Sequence, residues 1–512
     1  MYRLMLVLSI ISLSACVPGP TPAAVSEPTQ SLQVPVPSDW AGGITHADRE
    51  IESVTIHLAE TGGKLTIEPK TKTYKLADLQ RSGPTLSFKV TLEDEMNFSG
   101  TFDGSQITGR VEHNGQTDSF TFLPLFTEPK DPLDQFLGTY QFESGASLLI
   151  NLAPEYSSSG LYFFGQGLMV THFGTGAIRA LYRVARDTFL VGRARAIGYP
   201  FEEQIIFQRD PKGNVTGLSW QARDPMTGEP GEAAQATRLD LKSEVVHFTS
   251  EDGTRLAGLL TFPATPGPHP AIMLLHGSEP GTKDNFGSQQ MSAFLASQGI
   301  AILTYDKRGA GESEGTYVEA ASESNLELIA QDAIAGVEVL KGRPEIKADR
   351  IGLIGFSQAG WVIPLAASQS ADIAYFIILS GPVTSVGHED IYSSYTNDGD
   401  TPMDYSQAEI SKRLADTPHS GFDSTPVIAG LDQPAIWIWG DQDKSEPAFE
   451  SESNLKGIIA QGKSNFSYFV LPNADHNLQQ TTQGLFNEIP YSPGYHEGYY
   501  KIMVQWLEEH VK

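Results

Sequence analysis

Gly355-Phe356-Ser357-Gln358-Ala359-Gly360 is the stretch on which the reading of this chain turns. The apolar run Arg350-Ile351-Gly352-Leu353-Ile354 precedes it, and the helix-like Trp361-Val362-Ile363-Pro364-Leu365-Ala366-Ala367 follows. A serine is thereby placed at the hinge between a buried strand and a helix. So tight a turn forces the serine into strained backbone and lifts its hydroxyl off the sheet. It also aims the helix N-terminus at any negative charge forming beside it. The small residues Gly355, Ala359 and Gly360 permit that crowding. Small residues around a serine are common, so partners elsewhere in the chain must carry the reading.

A nucleophilic serine needs a base to take its proton and a carboxylate to hold that base in one tautomer, in the chain order serine, acid, histidine. The strand-like Pro434-Ala435-Ile436-Trp437-Ile438-Trp439 runs into Gly440-Asp441-Gln442-Asp443, and Phe466-Ser467-Tyr468-Phe469-Val470-Leu471 runs into Pro472-Asn473-Ala474-Asp475-His476. Each candidate lies just past the carboxyl end of a strand. That is the edge of an open α/β sheet where loops converge on a rigid base. His476 is the candidate base, and Asp441 and Asp443 both qualify as the acid. His388, His419 and His496 follow no strand end in this order and read as surface side chains.

With these residues the chain resembles the α/β-hydrolases, specifically their esterase, acyl-hydrolase and prolyl-oligopeptidase-like branches. The resemblance is carried by Leu275-His276-Gly277-Ser278, Tyr305-Asp306-Lys307-Arg308-Gly309-Ala310-Gly311-Glu312-Ser313, the serine turn, Gly440 to Pro447, and Ala474-Asp475-His476, within residues 243–512. It implies an α/β fold: a mostly parallel eight-stranded sheet with helices on both faces. It also selects Asp443, three residues after Gly440 and four before Pro447, and leaves Asp441 as a turn former capping local amides. Acyl transfer builds charge on a carbonyl oxygen, which needs two preset donors. The Gln358 amide is one; the resemblance places the second after His276-Gly277, at Ser278 in preference to Gly277. His276 itself reads as a packing and hydrogen-bonding residue, and Asp306, Lys307 and Arg308 as buried ion pairing that braces their loop. The sequence departs from the family pattern at Ala359, where a second glycine is usual, and at Glu446, where an apolar residue is common.

Met1-Tyr2-Arg3 and the apolar run Leu4 to Leu13 are too short to span a bilayer and read as an export signal. Leu13-Ser14-Ala15-Cys16 resembles the bacterial lipoprotein box, which implies a signal peptide over residues 1–15 and a lipid on Cys16, the only cysteine in the chain. By the same resemblance Val17 lacks the aspartate that retains such proteins in the inner membrane, so an outer-membrane, periplasm-facing anchor is expected, with the membrane reached through that lipid only. Residues 16–39, rich in proline, serine and threonine, read as a tether.

Residues 40–126 and 135–238 show short alternating segments between turn residues, which predicts two β-rich modules. The Asp103-Gly104 turn between alternating arms, Phe98 to Val111, is the strongest hairpin signal. Asp224 to Gly231 reads as a linker to the third region, and Tyr162, Phe163 and Phe164 as sheet core or a ligand surface. Within residues 243–512, a polar and aromatic segment at about 383–431 interrupts the strand-helix alternation and reads as a lid where substrate choice is decided.

A formal net charge of −27 disfavours polyanionic partners such as nucleic acid. With no phosphate loop and no clustered metal ligands in the sequence, neither a metal nor a cofactor is expected. The reading is a lipid-anchored serine hydrolase acting on small acyl esters through an acyl-enzyme. A peptidase of the prolyl-oligopeptidase-like type is the closest rival, and a non-catalytic surface-binding lipoprotein is the reading from another class.

Overall fold

Alternation at the Asp103 turn produces the expected hairpin. The strands Glu95–Phe102 and Ile107–His113 pair antiparallel with Phe102 opposite Ile107. Asp103 Oδ1 closes the turn by accepting from the amides of Ser105 and Gln106 at 2.8 and 2.9 Å. In the computed structural model, which describes residues 37–46, 50–60, 62–68, 72–92, 94–126, 132–153, 167–224 and 228–512, this hairpin lies in a nine-stranded antiparallel sheet running from Asp39–Thr45 to Gln116–Pro124. Phe88 stacks on Phe98, and Phe120 on Phe122, at 4.6 Å to form its core. Residues 1–15, read as a signal peptide, Cys16, most of the segment read as a tether and the aromatics Tyr162, Phe163 and Phe164 lie outside the described residues.

The second β region is a closed eight-stranded barrel from Gly138–Phe142 to Pro230–Arg238. Phe136, Tyr140, Ile150, Leu181, Phe189 and Phe207 pack together as its core. The segment read as a linker to the third region does not leave the barrel: Pro230 and Gly231 open its last strand, with Pro230 opposite Arg223, and residues 225–227 lie outside the described ones. The strand Pro230–Arg238 is mostly exposed and carries little apolar alternation, so only the turn residues stood out.

The third sheet holds eight strands, numbered here within it: β1 (Lys242–Thr249), β2 (Arg255–Phe262), β3 (His269–Leu275), β4 (Ala301–Tyr305), β5 (Ile346–Phe356), β6 (Tyr375–Leu379), β7 (Ala435–Gly440) and β8 (Phe466–Leu471). Their order is β1-β2-β4-β3-β5-β6-β7-β8. The sheet is mixed: β2 runs antiparallel to both β1 and β4, and the remaining pairings are parallel. β3, β4, β6 and β7 are buried at every position, as a sheet covered on both faces requires. Helices α1 (Phe286–Ser297) and α8 (Gly498–His510) share one apolar cluster with the sheet; α2 (Glu323–Lys341), α3 (Ala359–Gln369) and α7 (Ala448–Ala460) share the other.

Between β6 and β7 stand α4 (Val386–Tyr395), α5 (Gln407–Ala415) and α6 (Thr425–Gly430), in the segment read as a lid. Tyr392, Ile410 and Leu414 give it a small core of its own. Residues Pro37–Lys512 form one compact unit, and within it the barrel packs on the third sheet's helices. Phe173 meets Phe294 and Tyr500 edge-on at 5.6 and 5.0 Å, and Gln290 donates to Thr171 Oγ1 at 2.7 Å. Buried Arg195 of the barrel reaches across to Gln479 Oε1 at 2.7 Å and Ile489 O at 2.9 Å.

Candidate active site

β5 ends at Phe356 and α3 begins at Ala359, so the chain reverses over two residues. Ser357 takes φ 51°, the left-handed region that a non-glycine residue adopts at a cost of roughly 1–3 kcal/mol. Its amide bonds Leu379 O of β6 at 3.0 Å, and Gly360 N closes the turn on Ser357 O at 2.8 Å. The neighbours must be small: a Cβ on Gly355 would stand 2.4 Å from the Ala359 methyl, and one on Gly360 2.5 Å from Pro382 N.

β7 delivers the acid. Asp443, 2% exposed, accepts from the amides of Ser445 and Glu446 at 2.9 and 2.8 Å, and its two oxygens lie 3.0 and 2.9 Å from His476 Nδ1. Asp441 instead accepts from Asn473 N at 2.7 Å and pins the loop after β8. The structure thus brings Asp443, not Asp441, to the imidazole. With Nδ1 committed to Asp443, Nε2 is the atom left to take a proton.

Ser357, Gln358, Ser278 and His476 all line one cavity of about 1090 Å³. Among the described residues, neither the Gln358 nor the Ser278 amide donates to a backbone or side-chain acceptor, which leaves both available to a ligand oxygen. The pair is tied together from beneath. Lys307, 1% exposed, donates to Gly277 O at 2.6 Å and to the Gln358 side chain at 3.0 Å. The expected ion-pair trio therefore holds for two members only. Asp306 pairs with Lys283 at 2.8 Å and Arg308 with Asp332 at 2.6 Å, while Lys307 bonds neutral oxygens, and burial lowers its pKa to about 8. His276 is buried against Tyr305 O at 2.6 Å, as a packing residue.

Burial penalises the His476 cation, but the charge of Asp443 and the hydrogen bond that His476 Nδ1 donates to it prevail, and the pKa stands raised to about 9. An unperturbed value near 6.5, which would put the rise of activity in mild acid, does not describe this ring. Glu446 is buried, with one oxygen bonded by Ser451 and the other unpartnered among the described residues, and burial pushes its pKa well up. His388 corrects the surface reading: it is buried, bonding Glu450 at 2.7 Å and Thr417 O at 2.9 Å, because a loop and α7 fold over it.

Sequence reasoning missed the acidity of the cavity. Glu279, Glu319, Glu389, Asp390 and Asp398 join Glu446 in its lining, with no lysine or arginine among the described lining residues. Burial pushes Glu389 up to about 8. These acids come from three separate loops and from the lid, and no local spacing reveals them.

Residues 286–511 match the sequence profile of the Prolyl oligopeptidase family. Esterase EstD of Thermotoga maritima is 32% identical over 177 residues, covering 33% of this chain and 39% of that one. Acyl-coenzyme A thioesterase 1 of Rattus norvegicus is 28% identical over 235 residues, 44% and 52% of the two chains, and Dipeptidyl peptidase 8 of Homo sapiens 29% over 150 residues, 28% and 17%. The matches thus span about half or less of these relatives' own lengths. Together with the serine turn, these similarities support the α/β-hydrolase superfamily and a hydrolase of serine type.

Proposed function

We propose that this protein cleaves carboxylic esters through an acyl-enzyme, with Ser357 as nucleophile, His476 as base and Asp443 as the group that orients it. The observation that carries the reading is the Asp443–His476 hydrogen bond opening onto the same cavity as a serine held at positive φ. His476 takes the Ser357 proton as Oγ attacks the acyl carbon; the oxyanion that forms is met by the amides of Gln358 and Ser278. The imidazolium then gives its proton to the leaving oxygen, and water repeats the sequence to release the acid.

Esters are favoured over coenzyme A thioesters because the cavity carries carboxyl groups and no lining lysine or arginine, a poor host for a polyanionic leaving group. The peptidase reading draws on the family match and on the dipeptidyl peptidase relative. Against it, the described residues ahead of the third sheet form one sheet and one closed barrel, without the radial blades such peptidases usually carry. Export and anchoring through Cys16 belong to the same proposal and rest on the sequence of residues 1–16.

A fluorophosphonate probe tests the core of this reading. It is expected to label the wild-type protein and not Ser357→Ala; a folded wild-type protein that stays unlabelled favours the binding-lipoprotein reading. Turnover of a short-acyl p-nitrophenyl ester against an aminoacyl p-nitroanilide then separates esterase from peptidase.

A further inference from the structure

We propose that His46, His113 and Asp118 form a binding site for a divalent transition ion of the zinc type at one end of the nine-stranded sheet. His113 and Asp118 are five positions apart, but His46 stands 72 positions from Asp118, so the chain shows no three-ligand spacing. The fold brings them together. His46 directly follows the strand Asp39–Thr45, and His113 ends the strand Ile107–His113. Asp118 lies on Gln116–Pro124, which is hydrogen-bonded to both of those strands, with Thr45 opposite Ser119 and Glu112 opposite Thr117.

The geometry is convergent. His46 Nδ1 lies 2.7 Å and His113 Nε2 2.8 Å from the same oxygen, Asp118 Oδ2, and all three atoms are within 4.8 Å of one another. The rings meet edge-on, at 85° and 6.3 Å, so the two nitrogens point at a common spot without the rings stacking. The carboxylate is 2% exposed and the imidazoles 27% and 20%, which fixes the oxygen while leaving the spot open to solvent. An ion with bonds of 2.0–2.2 Å needs donors about 3.3 Å apart, so the cluster has to widen by about half an ångström.

The outer contact also fits. His46 Nε2 lies 3.6 Å from Glu52 Oε2, and an imidazole whose far nitrogen faces a carboxylate is the arrangement that orients a ligating histidine. A ligating nitrogen cannot also hold a proton, so ion binding requires the proton of each imidazole on its far nitrogen, which for His46 faces Glu52. Two imidazoles and one carboxylate suit zinc, cobalt, nickel or copper rather than magnesium or calcium, which take oxygen ligands. The second histidine cluster, His388, His419 and Glu450, does not offer this. The His388 and His419 rings stack at 3.8 Å instead of meeting edge-on, and His419 Nδ1 is bonded to Ser385 Oγ.

The test uses the full chain without a polyhistidine tag, stripped by a chelator and titrated with zinc in a calorimeter, then with cobalt followed by visible absorption. One equivalent is expected to bind and to raise the Tm, with no response to magnesium. Affinity should fall at least about 100-fold in His113→Ala and in Asp118→Asn, about tenfold in Glu52→Gln, and not at all in His419→Ala. If Asp118→Asn does not fold, His113→Gln, at a partly exposed position, carries the comparison. A folded wild-type protein that binds no zinc overturns the proposal. So does binding undiminished in the His113 variants, binding lost in His419→Ala, or an equal response to magnesium.

Discussion

Replacing Asp443 by asparagine tests the centre of the site most directly. In the wild-type protein His476 stands at about 9 against an unperturbed 6.5, and each pH unit corresponds to 1.36 kcal/mol, so the surroundings favour the imidazolium by about 3 kcal/mol. The largest single influence, burial, works the other way; Asp443 is the largest of the influences that raise the pKa, followed by the charges of Asp398 and Asp475. Asparagine removes the charge and can present its NH₂ to Nδ1, selecting the wrong tautomer. The maximal rate is expected to fall by roughly 10³–10⁴-fold. Proton abstraction needs the neutral ring, so the wild-type kcat/KM should climb with pH through about 9. In the variant burial is opposed only by the more distant charges of Asp398 and Asp475, and the residual activity should climb at lower pH than in the wild type. The assay is kcat/KM for a short-acyl p-nitrophenyl ester from about pH 5 to about pH 10, corrected for spontaneous hydrolysis. Stability gives an independent readout. A histidine raised on folding stabilises fully below its unfolded pKa near 6.5 and loses that contribution as pH rises through about 9, so the wild-type advantage in Tm over the variant should shrink across that window. An asparagine variant within about tenfold of wild type, with its pH limb unmoved, would refute the assigned role.

Three further outcomes follow from the packing. Ala359→Leu drives a larger side chain into Gly355 at the serine turn and should cost about 1–3 kcal/mol with loss of esterase turnover, measured by thermal melts and p-nitrophenyl acetate. Lys307→Met cuts the ties to Gly277 O and Gln358; kcat should fall about 10- to 100-fold with KM little changed, and steady-state kinetics check it. Above about pH 8, where Glu389 is ionised, Glu389→Gln should narrow any preference of the cavity for cationic over anionic esters, seen as the ratio of kcat/KM for a choline ester and a succinate half-ester.

The order of chemistry along the third sheet was legible because each candidate residue follows a strand end, and strand ends announce themselves as apolar runs broken by glycine. Asp443 and Asp441 could be told apart only through resemblance; what separates them physically is that one faces His476 and the other Asn473, a choice set by loop geometry. The segment read as a lid could not be decoded, since Glu389, Asp390 and Asp398 acquire meaning only where the fold sets them in the cavity that Ser357 also lines. His388 looked like a surface histidine because its partners Glu450 and Thr417 lie on other segments. The last barrel hairpin was misread because proline and glycine mark a linker and a tight turn alike.

Arg195 has a consequence for any attempt to trim the protein. Its guanidinium, whose pKa burial lowers to about 10, grips Gln479 and Ile489 on the very loop that carries His476, so the hydrolase region borrows rigidity from a neighbour that contributes no reacting atom. A shortened chain starting at Lys242 would keep Ser357, Asp443 and His476 yet leave the imidazole on an unsupported arm. The barrel is better regarded as a splint for the enzyme than as freight it carries.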